Sequence, residues 1–259
     1  MKATLEDSWF PMLGEGLVFN MTKKQFWDNM AEEYDLLRIV YPYLDRFQDS
    51  VLLALQENSR GWGGRKMRGL EIGCGTGDTT WKILLGVPGV ELTAVDKSPD
   101  MIELAKKKIK SPQLKANVRF EEGDALDVTH SFEEGEFDFV VSSWTVHNFD
   151  PQYRRDVFGE VECILKEGGL FVLADKIAYD NPKLHRKSYE FMKNRYDLLR
   201  KLGKPEVAQH WLKHNEFDNQ PERRLTESRV RSELRNVGFR DIRKVFRQQV
   251  DATYTARKA

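Results

Sequence analysis

The nine residues Leu70-Glu71-Ile72-Gly73-Cys74-Gly75-Thr76-Gly77-Asp78 constrain the fold more than any other part of the chain. An apolar run enters three alternating glycines, and these run into Thr79–Leu85, which can start a helix. The pattern reads as a short buried strand, a tight turn and a helix N-terminus. Residues without a Cβ let the chain turn sharply and bring its backbone close to a ligand. The unpaired N–H groups at the helix start add partial positive charge. A second apolar run, Val90–Val95, closes on Asp96. That acid follows the glycines at the roughly twenty-residue spacing at which a doubly wound sheet meets a ribose diol.

A dinucleotide fingerprint wants glycine at its first, third and sixth positions. Counting from Gly73, the sixth position is Asp78, a carboxylate that would face a pyrophosphate. The spacing Gly73-x-Gly75-x-Gly77, preceded by Glu71, instead resembles motif I of the class I S-adenosylmethionine-dependent methyltransferases. The resemblance implies that Glu71 approaches the amino group of the methionine moiety. A ligand without phosphate also fits an acidic loop.

The composition excludes several other classes. Lys+Arg and Asp+Glu both number 41, so the net charge is zero, and the mean hydropathy is −0.59. Nucleic-acid binding calls for a basic face, and the balance supplies no general drive toward it. No run reaches the ~18 apolar residues of a membrane span, and the N-terminus lacks the basic-then-apolar signal-peptide pattern. Cys74 and Cys163 are far apart and one lies in the glycine turn. A disulfide framework or a metal site is therefore not expected, and a reducing cytoplasm is.

Around the glycine turn the chain divides into four parts. Residues 1–65 form an arm and lid helices. The arm, 1–20, has no clear period and would cover the site or a partner subunit in a homodimer. From Thr22, a candidate cap, Phe26, Met30 and Tyr34 recur at helical spacing. A helix over roughly Leu44–Gln56 leads through Gly61-Trp62-Gly63-Gly64 into the core, residues 66–179. After Asp96, Ser98-Pro99-Asp100 signals a helix entry, and Met101 would pack on an adenine or fill the core. A third strand, Val118–Glu121, leads to Gly123-Asp124-Ala125, and a fourth, Phe137–Ser143, delivers Trp144–Asn148 into the crevice. A helix from Asp150-Pro151 runs through Leu165 and stops at Gly168-Gly169 before a fifth strand, Leu170–Asp175. Five strand–helix alternations imply a parallel sheet with right-handed crossovers.

Residues 180–225 break this rhythm with helices over Leu184–Leu202 and Pro205–Asn215, read as a lid that sets substrate choice. His210 and His214, four apart, mimic metal-ligand spacing, but no companion pattern completes a site. Residues 226–259 supply a helix from Thr226-Glu227-Ser228 to Asn236 and two strands, Phe239–Phe246 and Val250–Ala256. The fold class expected is α/β: a Rossmann-like, doubly wound, seven-stranded and mostly parallel sheet.

The resemblance narrows further. Arg38-x-Val40-x-x-Tyr43, the glycine turn, Asp96, Gly123-Asp124, the Val140–His147 loop, Leu173-x-x-Lys176 and Asn236-x-Gly238-Phe239 fall in one order. Together they look like carboxy-S-adenosylmethionine synthases and related tRNA-wobble-uridine methyltransferase-like proteins. By that resemblance Tyr43, Gly73, Cys74 and Gly75 would touch the methionine end of the cofactor. Asp96 and Lys97 would hold the ribose, and Asp124 and Ala125 the adenine. The family's asparagine after the fourth strand falls on Ser143, and its carboxylate-binding arginine falls on Lys213. Lysine is a point charge without arginine's bidentate fork, which favours the ordinary methyl donor, S-adenosyl-L-methionine.

The expected activity is in-line methyl transfer to a small-molecule acceptor. His147, just past the fourth strand, is the candidate general base, since histidine titrates near neutral pH. Two other readings stand beside it. One is a carboxy-S-adenosylmethionine synthase using prephenate and feeding tRNA modification; the other is a nucleoside-binding interaction protein without catalysis. An RNA substrate lacks support, because no basic appended domain or aromatic stacking motif is visible.

Overall fold

A computed structural model of the protein describes residues 31–59 and 65–259. The arm 1–20, the Thr22 cap with Phe26 and Met30, and the glycine linker 61–64 lie outside the described residues. A 3-10 turn over Ala31–Leu36 runs into α1 (Leu37–Val40), followed by α2 (Leu44–Ser59). The core then alternates β1 (Met67–Ile72), α3 (Asp78–Gly86), β2 (Val90–Asp96), α4 (Pro99–Lys108), the single turn α5 (Pro112–Lys115), β3 (Val118–Glu122), α6 (Ala125–His130), β4 (Phe137–Ser143), α7 (Pro151–Ile164) and β5 (Leu165–Lys176). The two inserted helices are α8 (Pro182–Lys201) and α9 (Pro205–Asp218), and the chain closes with α10 (Glu227–Asn236), β6 (Arg240–Gln248) and β7 (Asp251–Arg257).

The seven strands form one sheet in the order β3-β2-β1-β4-β5-β7-β6. The first five strands are parallel, and β7 runs antiparallel to both β5 and β6. The order reverses between β1 and β4, and a crevice opens there beyond the strands' carboxyl ends. Burial on both faces explains the near-continuous apolar runs of the central strands. Along β4, Phe139 and Val141 enter one core with α1, α2, α8 and α9. Val140 enters the other core, with α7 and α10.

Local signals act where their chemistry predicts. Ser98 accepts from the Met101 N–H at the start of α4, with Pro99 in the first turn. Asp124 caps α6, a helix the apolar period does not announce because it is only six residues long. Thr226 caps α10.

Three boundaries differ from expectation. Helix α7 ends at Ile164, because Leu165 already pairs with Phe137 as strand. Gly168 and Gly169 therefore do not stop a helix; they sit in β5, where the register shifts from Phe137↔Leu165 to Phe139↔Leu170. Helix α8 begins at Pro182, where Asn181 caps two backbone N–H groups. Helix α9 continues a turn past Asn215 to Asp218.

Candidate functional site

The crevice is a cleft of about 600 Å³ bordered by the glycine turn, the ends of β2, β3 and β4, and the start of α7. Gly73 and Gly75 adopt the left-handed region, at φ +73° and +52°. A Cβ on Gly73 would lie 2.1 Å from Thr145 Oγ1, so strand β4 and the turn approach closely only because that residue is glycine. A Cβ on Gly75 would meet no protein atom within 4 Å, because that face opens on the cleft.

Three of the carboxylates that line the cleft are in different states. Glu71 is fully buried, and its Oε2 accepts from Thr80 Oγ1 at 2.6 Å. Its Oε1 has no hydrogen-bond partner. Burial, against the opposing Thr80 hydrogen bond and helped by the charges of Asp96 and Asp78, pushes its carboxyl up to about 8. Asp96 accepts from the Gly75 and Ser98 backbone N–H groups at 2.8 and 2.9 Å, so the glycine turn itself sets the acid's orientation. Asp124 accepts from the Leu126 N–H, from Lys97 Nζ at 3.1 Å and from the Tyr153 hydroxyl. Partial burial raises the Asp124 carboxyl, but Tyr153 and Lys97 outweigh it and hold the group below its ordinary range.

Of the residues singled out in the sequence, Glu71, Gly73, Cys74, Gly75, Asp96, Lys97, Met101, Asp124, Ala125 and Ser143 all border this one cleft. Lys97 reaches Asp124 rather than Asp96. Tyr43 does not reach the cleft: it is buried in the core, and its hydroxyl donates to Asp251 Oδ2 at 2.9 Å. His147 is likewise displaced. The 3-10 turn Val146–Asn148 faces it inward, behind Trp144 and away from the cleft lining. Its ring Nδ1 lies 2.5 Å from Asp175 Oδ1, and its backbone N–H donates to Asp175 Oδ2. Lys213 and His210 are exposed on α9, whereas His214 is fully buried.

Trp144 divides two environments. Its backbone takes a left-handed φ of 52°, and its indole N–H donates to Asp251 Oδ1 at 2.7 Å. On one side it faces the cleft with Tyr34 and Phe149. On the other it meets Tyr41 edge to face at 4.6 Å and borders a small inner space with His147 and Lys176. Burial pushes Asp251 up to about 6 against the two hydrogen bonds it accepts.

Tyr34, read in the sequence as part of the lid helices, lies on the cleft wall, where sequence reasoning missed Gln48 and Tyr153. Tyr153 sits in the first turn of α7, five residues past the Trp144–Asn148 loop, so its position carried a signal. Gln48 carried none, since an inward polar residue on α2 shows only after the helix is docked.

A methyltransferase-domain family profile matches residues 70–169, the segment that holds the glycine turn and most of the cleft. The carboxy-S-adenosyl-L-methionine synthase of Campylobacter hominis is 26% identical over 92% of this chain and 97% of its own length. The matched domain, the relatives and the shared fold support a class I S-adenosylmethionine-dependent methyltransferase. The methyltransferase is also 34% identical to the demethylmenaquinone methyltransferase of Leptospira interrogans, over 44% of either chain. Its fold is shared with human N-acetylserotonin methyltransferase, solved with its cofactor, at a TM-score of 0.56 and 16% identity. That match covers 91% of this chain and 55% of the other. S-adenosylmethionine is accordingly the methyltransferase's cofactor, and the cleft suits it: Glu71 Oε1 is a buried acceptor whose partner a ligand ammonium can supply. Among the described residues no helix is long and apolar enough to cross a membrane.

Proposed function

We propose that this methyltransferase acts on a small-molecule acceptor, and that the carboxylates of the cleft hold the methyl donor. The observation that carries the reading is the shape of the cleft. One cavity of about 600 Å³ runs from Asp124 and Met101 past Asp96 to Glu71, and is walled there by Tyr34, Leu44 and Gln48 from the N-terminal helices. A concave space of that size, with apolar walls and placed polar groups, is what a small ligand requires.

In this reading Glu71 takes the cofactor's ammonium, Asp96 its ribose hydroxyls, and Asp124 with Ala125 and Met101 its adenine. Gly73, Cys74, Gly75 and Ser143 form the backbone floor. Bound S-adenosylmethionine supplies a methyl group already activated on a sulfonium. The chain's own contribution is then to hold the acceptor in line and exclude water, which can lower the barrier by ~7–11 kcal/mol. Trp144, Tyr34 and Phe149 are the apolar surfaces placed for that work. His147 is not assigned as general base, because Trp144 stands between it and the cleft and Asp175 engages its ring.

The full-length likeness to a carboxy-S-adenosyl-L-methionine synthase favours a second reading, in which the donor is carboxylated. A carboxylate on the transferred group needs a cation opposite it. Among the described residues that line the cleft the only basic side chain is Lys97, already paired with Asp124. The ordinary donor is therefore preferred.

Incubation with methyl-labelled S-adenosylmethionine and separated cell extracts tests both points. Label is expected in the small-molecule fraction; label confined to RNA or protein overturns the acceptor class. Mass spectrometry of the co-purified ligand is expected to show S-adenosylmethionine or its demethylated product, and the carboxylated form would establish the second reading.

A further inference from the structure

Behind Trp144 lies a cluster that the methyl-transfer site does not use. His147 enters it from the turn after β4, and His214 and Asp218, one helical turn apart, enter it from α9. All three are buried. One ligand atom from each falls within 4.8 Å of the others. His214 Nε2 lies 3.2 Å and His147 Nε2 3.7 Å from Asp218 Oδ2. The two imidazole rings stand 6.1 Å apart at 65°.

Two independent features point to a ligand. Both oxygens of the Asp218 carboxylate are buried without a hydrogen bond, a costly arrangement unless something else satisfies them. His147 is also preset: the Asp175 carboxylate can only accept, so the proton sits on Nδ1 and Nε2 is directed at Asp218 and His214. A carboxylate behind the outer nitrogen of a histidine is the usual support of a metal ligand. A cavity of about 40 Å³ beside Asp218, bordered by Asn215 and Asn219, has room for a water.

The geometry points to a divalent transition-metal site formed by His147, His214 and Asp218, oriented by Asp175. Two neutral imidazoles and one carboxylate suit zinc, with a water in the fourth position. Tetrahedral bonds of ~2.0–2.1 Å place ligand atoms roughly 3.3 Å apart, close to the two separations found here. The ion would join the lid helix α9 to the loop that borders the cleft, and so fix Trp144 and Thr145 from behind.

Three cations bear on the site. Lys176 Nζ stands 3.8 Å from Asp218 Oδ2, outside hydrogen-bond range and over the Trp144 ring. Arg224 borders the cavity, and Arg223 pairs with Asp150. They lower the affinity without filling the ligand positions.

Tag-free, full-length protein stripped with a chelator and titrated with Co²⁺ tests the assignment independently of any methyl acceptor. One equivalent should bind with the visible absorption of a nitrogen- and oxygen-ligated ion, and Zn²⁺ should displace it. Asp218→Asn and His147→Gln should each abolish the band while S-adenosylmethionine binding persists. Asp175→Asn, which leaves all three ligands, should weaken Co²⁺ about 10–100-fold. Absence of stoichiometric uptake by wild-type protein that binds S-adenosylmethionine overturns the site, as does full-affinity uptake by either ligand variant. Should Asp218→Asn fail to fold, the His147→Gln titration decides alone.

Discussion

At the residue scale, the state of Glu71 sets a pH dependence. Its carboxyl is raised from an ordinary value of 4.5 to about 8, so the folded apo protein prefers it protonated. The sign follows: the stability this group contributes is fully present below its unfolded value and is lost as pH rises through about 8. A ligand ammonium reverses the preference by favouring the carboxylate. S-adenosylmethionine affinity should therefore rise between pH 6 and 8, with proton release on binding. It should fall again as the ligand's α-amino group, with an ordinary pKa of ~7.7–8.0, loses its charge. Calorimetry in two buffers of different ionisation enthalpy measures the protons released. Glu71→Gln should flatten the rising limb and cost about 1.5–3 kcal/mol of binding, the range for a hydrogen bond to a charged group. A pH profile unchanged in that variant would remove Glu71 from the ammonium site. Cleft carboxylates were legible in the sequence because strand-end acids follow apolar runs. The position of His147 was not, because a three-residue 3-10 turn decides which way a loop side chain faces, and no periodicity reports it.

At the element scale, Arg154 shows how two helices are fastened on the far side of the sheet. Its guanidinium is fully buried in α7 and meets the Glu233 carboxylate of α10 with two parallel hydrogen bonds of 2.8 and 2.9 Å. Removing one partner of such a pair leaves an uncompensated buried charge, which costs ~3–5 kcal/mol. Arg154→Met should lower stability in urea by that order, and the double variant Arg154→Met/Glu233→Leu should recover much of the loss. Equal losses in the single and double variants would mean that the packing, not the charge, holds the helices. Helix and strand identities in the core were readable from period and caps. The end of α9 was not: Asp218 lies nearly a turn beyond Asn215, where the sequence pattern ends the helix. That hidden turn completes the His214–Asp218 spacing, while the histidine pair visible in the sequence, His210 with His214, is split by burial.

At the scale of the molecule, the inserted helices are not a detachable cover. Tyr196, Leu199, Trp211 and Leu212 share one core with Tyr41, Phe47 and β4. Asn215 donates to the Tyr196 hydroxyl at 2.6 Å within it. The lid expected from sequence is thus continuous with the body, a property invisible until both faces of the helices are placed. Trp211→Ala should cost ~3–5 kcal/mol, and unfolding should remain a single transition with coincident tryptophan fluorescence and circular dichroism. A separate early transition confined to α8 and α9 would show the insertion to be an independent unit. The cleft itself is drawn unequally from the chain. Its floor and ribose end come from one unbroken stretch, residues 71–156, whereas Tyr34, Leu44 and Gln48 reach it from before β1. A lineage can therefore rewrite the front wall by mutation, or borrow it whole by recombination upstream of Met67, and inherit the donor half intact. New acceptors become accessible in small steps, with the methyl source never at stake.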